Sequence, residues 1–214
     1  MPTAPDLAPH LTSEQRTVLK SLQSPARIQA YLDDTPYSPE SINRSPLRVI
    51  QDRLAHCLDG GLFAAMALRR LGHPPLIVDL LPEPDRDDDH VLAIFKVAGC
   101  YGAVAKSNYA GLRFREPVYR SLRELVMSYF EVFYNTEAEK TLRAYTRPLN
   151  LKAYDRMNWP WNDSAADAVE EYLKTLQTIP LVTAEQAARL EAVDPLSFKA
   201  GTLATDPAGL YKPH

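Results

Sequence analysis

The sequence predicts an α+β fold in which a central buried helix packs on a small antiparallel sheet, with extra helices at both ends. Three observations carry this expectation. From Cys57 to Leu71, the apolar residues Leu58, Leu62, Phe63, Ala64, Ala65, Met66, Ala67, Leu68 and Leu71 lie on every face of a helix, a pattern suited to a helix surrounded by protein. Three apolar, partly β-branched runs follow, at Leu76–Leu81, His90–Val97 and Cys100–Lys106, each reading as a strand. Ala98-Gly99 offers a tight turn between the last two, so they should form an antiparallel hairpin.

Residues 1–11 are rich in Pro and Ala and read as a tail. Residues 12–54 hold the N-terminal helices: Thr12-Ser13-Glu14 can cap one, a second runs from Pro25 to Leu32, and a helical turn covers Leu47–Leu54,. Between the last two, Pro36, Pro39 and Pro46 mark a loop,. Residues 55–135 form the catalytic-type core. Its helix should stop at Gly72, with Arg69 and Arg70 favouring the negative C-terminal end. After the strands comes a loop over Ser107–Val118, then a helix from Ser121 to Asn135 whose apolar positions recur at the helical interval,. Residues 136–193 hold further helices near Ala165–Leu176 and Ala184–Ala192, and 194–214, with Pro195, Pro207 and Pro213, read as an extended tail,. The chain, 1–214, is read as a single domain with additions.

Composition excludes several classes. With 45% hydrophobic and 24% charged residues and a net charge of -3, nothing demands a nucleic-acid or membrane partner. No run reaches the roughly 20 apolar residues that span a bilayer, and the start lacks a basic stretch followed by an apolar one, so a cytoplasmic location is expected. The two cysteines, Cys57 and Cys100, are too few for a disulfide scaffold and are read as lone thiols.

Cys57 is the residue on which the chemistry turns. A cysteine attacks as its thiolate, and the first turn of a helix offers unpaired N–H groups and partial positive charge to stabilise one. Gly60 and Gly61 leave that turn open to close approach. His90 opens a strand about 30 residues later on the sheet that the helix covers, and is the expected proton partner if the two meet at one sheet edge. A third polar group should orient the imidazole, and Lys106-Ser107-Asn108 lies where the hairpin would supply it,.

These segments resemble the core of the transglutaminase-like superfamily of papain-fold cysteine enzymes. The resemblance rests on Cys57-Leu58-Asp59-Gly60, on the helix end Arg69-Arg70-Leu71-Gly72-His73-Pro74, and on His90-Val91-Leu92-Ala93-Ile94-Phe95 heading a hairpin. It covers about a quarter of the chain, Cys57 to Asn108. The family usually carries His-Ala-Trp and an Asp near the end of the next strand; here Val91-Leu92 follow His90, and no Asp occurs between Val91 and Arg120. By resemblance to papain-type enzymes, Asn108 takes the orienting role, with Ser107 as the alternative, and Gln51 occupies a place like that of an oxyanion-binding glutamine. The backbone N–H of Cys57 is a second oxyanion donor.

The implied activity is acyl transfer. Cys57 would attack the carbonyl of a peptide, protein or small amide substrate, His90 would protonate the departing amine, and the thioester would pass to water or to an amine. No cofactor or metal is expected. The missing Asp leaves room for a second expectation, a catalytically inactive relative that serves as a binding or scaffolding module. Cys100 reads as structural, His73 as a turn residue, and His56 as facing outward at the helix entry. The acidic run Asp85–Asp89 lacks the ligand spacing of a calcium loop and reads as solvated. Arg113, Arg115, Arg120 and Arg123 read chiefly as loop-holding ion-pair partners.

Overall fold

A computed structural model describes residues 6–212. The expected helices before the centre are present as α1 (Ser13–Ser21), α2 (Pro25–Asp33) and α3 (Pro46–Asp52). Thr12 and Gln15 cap α1 reciprocally, which satisfies two N–H groups that the first turn leaves unpaired. The buried helix is α4 (Cys57–Arg70), in which every residue from Cys57 to Leu68 is buried. It ends as expected: Gly72 adopts φ 93°, and the His73 N–H reaches back to the Leu68 carbonyl at 3.1 Å. Arg69 does more than complement the helix end. Its guanidinium clasps Asp155 through two bonds of 2.6 and 2.8 Å, and Asp155 also accepts the Trp159 indole N–H at 3.1 Å.

The three expected strands are β1 (Leu76–Pro82), β2 (His90–Val97) and β3 (Cys100–Val104), the last shorter than predicted. They sit inside a larger sheet, completed by β4 (Arg115–Tyr119), β5 (Leu142–Thr146), β6 (Leu149–Asn150) and β7 (Thr178–Pro180). Its order is β4-β3-β2-β1-β5-β7, with β6 also on β1, and all pairings are antiparallel. The expected loop over Ser107–Val118 thus ends in a strand. Pro117 is tolerated there because β4 lies at the sheet edge, where a missing N–H breaks no ladder.

A division between core and C-terminal helices at residue 135 does not hold, because residues beyond it supply the strands that cover the free edge of β1. The helix expected over Ser121–Asn135 stops early, as α5 (Leu122–Met127) and a 3-10 turn at Phe130–Val132. At that point the Ser128 carbonyl accepts from Arg115 at 3.1 Å, and the Val132 N–H, which a continuing helix would bring to Ser128, goes to the Tyr129 carbonyl at 3.1 Å. Further on lie α6 (Asp163–Leu173) and the short α7 (Ala184–Ala187). The predicted tail at 194–214 contains α8 (Pro195–Gly201), capped by Asp194, and a 3-10 turn at Pro207–Gly209. Of the predicted N-terminal tail, residues 1–5 lie outside the described residues, and His10 is stacked on Trp161 with ring centroids 4.0 Å apart.

The sheet is covered on both sides. Ile77, Val91, Ala93, Phe95 and Val104 face α4, while Val78, Leu80, Leu92, Ile94 and Ala103 join Leu125, Val126, Tyr129 and Phe133 beneath the opposite face. The helix rides very close: a β-carbon on Gly61 would lie 2.6 Å from Val91 Cγ1. No helix among the described residues is long and apolar enough to cross a membrane.

Candidate functional site

Asp59 organises the entry to α4. Its buried carboxylate accepts the His56 N–H at 3.2 Å and the Arg44 N–H at 2.6 Å, and the Arg44 guanidinium lies 3.6 Å away. The His56 ring is held between Asp59 Oδ1 at 3.3 Å and the Ile42 carbonyl at 3.2 Å. That ring lines a cleft of about 440 Å³ together with Cys57, so the outward placement expected for His56 is corrected: it is a wall of the site. Tyr37, Asn43, Asp88, Asp89, Glu170, Lys174 and the segment Ala208–Tyr211 complete much of that wall.

Cys57 opens α4 as expected, but its surroundings do not stabilise a thiolate. The residue is 7% exposed, and Sγ lies 3.8 Å from the Asp89 carbonyl oxygen. Burial first, and then the negative charge of Asp89, Asp88 and Asp79, pushes the thiol well above its ordinary range; only the Val91 N–H acts the other way. Burial and like charge thus oppose the partial positive charge that the helix start offers a thiolate. The Tyr37 hydroxyl stands against the Cys57 backbone N–H, the group expected to serve an oxyanion.

His90 is turned away from Cys57. Successive residues of a strand face opposite sides, and Val91 packs under α4 against Gly61. The His90 ring therefore enters the other layer, where it meets the edge of Phe133 and places Nε2 2.7 Å from the Leu112 carbonyl. A carbonyl can only accept, so Nε2 carries the proton. Burial pushes the imidazole down to about 4, which keeps it neutral. The structure thus does not bring the expected Cys57–His90 pair together, and the sheet stands between them.

Asn108 does not orient His90 either. Its amide clasps the backbone of Asp206, donating to the carbonyl at 2.9 Å and accepting the N–H at 2.8 Å. Ser107 accepts the Tyr109 N–H at 3.0 Å in a local turn. Lys106 is buried and donates to the Leu32 carbonyl at 2.9 Å and to the Thr35 carbonyl, sealing the end of α2; burial lowers its amine to about 8. Gln51 is exposed on α3 and reaches no site. His73 tilts against Phe95, and Cys100 is half-buried at the start of β3. The arginines hold loops as expected: Arg113 pairs with Asp33 at 3.5 Å, Arg115 binds Ser128, and Arg123 donates to the Leu181 carbonyl at 2.8 Å.

The groups gathered around the thiol are carboxyls. Asp79 shares the α4 face of the sheet with Ile77, opposite Val91 in the register. It is 2% exposed, and its Oδ1 has no hydrogen-bond partner. Burial, followed by repulsion from Asp89 and Asp88, drives its carboxyl far up. Asp89, crowded by protein and by Asp88, is raised to about 6 while still open to the cleft. Within the acidic run, Asp85, Asp88 and Asp89 are exposed as a solvated loop would be, and Asp87 is half-buried. Asp87 accepts the Thr141 hydroxyl at 2.6 Å, and Asp88 and Asp89 form the cleft wall. Asp79 and Tyr37 were not anticipated, although a lone Asp inside the apolar run Leu76–Leu81 was a visible signal. Among the described residues, no cluster of His, Cys, Asp and Glu is placed to hold a metal ion. Comparison of the chain with protein-family models and with curated proteins finds no significant match.

Proposed function

We propose that this chain is a transglutaminase-type fold that has given up thiol catalysis and works as a binding module, with the cleft over Cys57 as its binding face. What supports the fold half of this reading is the order of parts: a cysteine at the head of the buried α4, a Gly72 stop, and a His-headed hairpin after one intervening strand. What supports the loss of catalysis is a single observation. The thiol has carboxyls where an acyl-transfer enzyme needs a base, and the imidazole that should serve it is committed to the Leu112 carbonyl in the opposite layer. At the end of β3, where the family carries an Asp, Lys106 is spent on closing α2.

The test is thiol labelling of the folded protein with iodoacetamide across pH 7 to 9, read site by site by mass spectrometry. Cys57 should label no faster than Cys100 throughout, and His90→Ala should leave its rate unchanged. Rapid labelling of Cys57 near pH 7 that depends on His90 would return the chain to the cysteine hydrolases and acyltransferases.

A further inference from the structure

We propose that the C-terminal segment Asp206–Tyr211 occupies in cis a groove that binds extended peptide, and that the partner of this face is a protein segment with glycine at the place of Gly209. The proposal rests on the binding-module reading and names the partner's chemistry. Asn108 holds the segment by its main chain at two points, donating to the Asp206 carbonyl at 2.9 Å and accepting the Asp206 N–H at 2.8 Å. A side-chain amide used in this way recognises backbone and is indifferent to the side chain beside it. Further on, Gly209 lies flat against Tyr37: a β-carbon there would stand 2.7 Å from Cδ1 and 3.0 Å from Cε1 of the ring, and 3.3 Å from Asn108 Nδ2. Its φ is not positive, so glycine is required by the space beneath it and not by the turn. The same device recurs at Gly201, where a β-carbon would collide with the Tyr134 hydroxyl. Neither α8 nor the 3-10 turn buries a side chain. The body therefore fixes this segment by close approach to its backbone.

The space beneath the segment points to a peptide as the ligand class. The cleft of about 440 Å³ over Cys57 and a second, nearly filled cavity of about 40 Å³ beside His90 share Tyr37, Asp88, Asp89, Gly209 and Tyr211. Withdrawal of the segment joins them into one groove that runs from Cys57 past Asn108 to Tyr109 and Tyr134. A backbone-reading amide set among flat rings suits an extended chain. Tyr37 links that groove to the thiol, since its ring carries Gly209 and its hydroxyl stands against the Cys57 N–H. The segment is tethered at Val193, whose N–H is held by the Ala138 carbonyl at 2.8 Å. A tether this short gives an effective concentration on the order of millimolar, so an outside peptide of equal affinity is outcompeted until the cis copy is displaced.

The experiment is fluorescence anisotropy of a labelled peptide spanning residues 204–212, titrated with the full chain and with Gly209→Val and Asp206→Pro. Both lesions lie in the segment and leave the groove intact. The second removes the N–H that Asn108 accepts, at a φ of -81° that proline tolerates,. Both variants should bind the peptide at least about tenfold more tightly than the parent. Adding Asn108→Ala to either should remove the gain, and a peptide carrying valine in place of its glycine should not bind. Equal affinity of the parent and both variants, no saturable binding to either variant, or undiminished binding of the valine peptide would overturn the proposal. Its failure is separable from that of the binding-module reading. Slow Cys57 labelling in parent and variants without peptide binding sinks the cis occupant alone, whereas rapid His90-dependent labelling sinks the module whatever the titration gives.

Discussion

His90 offers the sharpest test of the site geometry, because its two placements predict opposite pH dependences. Sealed in the lower layer, its imidazole titrates at about 4 rather than at the ordinary 6.5. The unfolded chain therefore binds a proton below pH 6.5 that the folded chain refuses until about 4. Its contribution to stability is complete above pH 6.5 and is lost progressively as pH falls to 4. A shift of roughly 2.5 units at 1.36 kcal/mol each amounts to about 3 kcal/mol when fully lost, of which about 2 kcal/mol is gone by pH 5. The perturbation is His90→Gln, which keeps a donor in reach of the Leu112 carbonyl and removes the titration.

Urea unfolding of both proteins from pH 7.5 to 4 isolates the effect, since carboxyls common to both cancel in the difference. The variant should be the less stable protein at pH 7.5, and the gap should close by about 2 kcal/mol at pH 5. An imidazole paired with a thiolate would have a raised pKa instead. Its contribution would be present below pH 6.5 and lost as pH rises. A difference that is flat with pH, or that closes toward alkaline pH, would refute the opposite-layer placement.

Three further outcomes follow from packing and charge. Gly61→Ala should destabilise despite the better helix propensity of alanine, because its β-carbon meets Val91 at 2.6 Å; a net cost of about 1–2 kcal/mol in urea unfolding is expected. Asp155→Ala strips two bonds from Arg69 and one from Trp159, and should cost about 3 kcal/mol in urea unfolding; a cost well under about 1 kcal/mol would contradict the role of that clasp. Asp79→Asn should gain stability relative to the parent as pH rises from 5 to 8. The parent carboxyl is held protonated by burial and by Asp89, so folding loses stability as pH climbs toward its raised pKa. A gap that does not change with pH would contradict that assignment.

The centre of the fold was legible because α4 is apolar on every face and because Gly72 and Ala98-Gly99 punctuate it strongly. What could not be read was which way β2 faces. In a strand exposed on one side, alternation between apolar and polar residues reveals the buried set, but β2 is covered on both sides, and His90, Leu92 and Ile94 are as buried as Val91, Ala93 and Phe95. With alternation erased, adjacent residues 90 and 91 could not be assigned to layers. The missed strands β5, β6 and β7 are short, and they are extended because the free edge of β1 recruits them rather than through any strong pattern of their own. Asn108 was expected to orient His90; its actual partner, the Asp206 backbone, lies too far along the chain for spacing to suggest it.

That clasp also bears on how the cleft moves. The segment from Asp194 to Tyr211 buries no side chain of α8 or of its 3-10 turn; it is tied to the body by the Asn108 amide, by the bond from the Ala110 N–H to the Gly201 carbonyl at 2.9 Å, and by Tyr134, whose hydroxyl donates to the Ser197 carbonyl at 3.2 Å and whose ring meets Phe198. A region with so few buried contacts opens at much lower free energy than the sheet beneath it. The amides of this cleft wall should therefore exchange with deuterium long before those of β1 and β2.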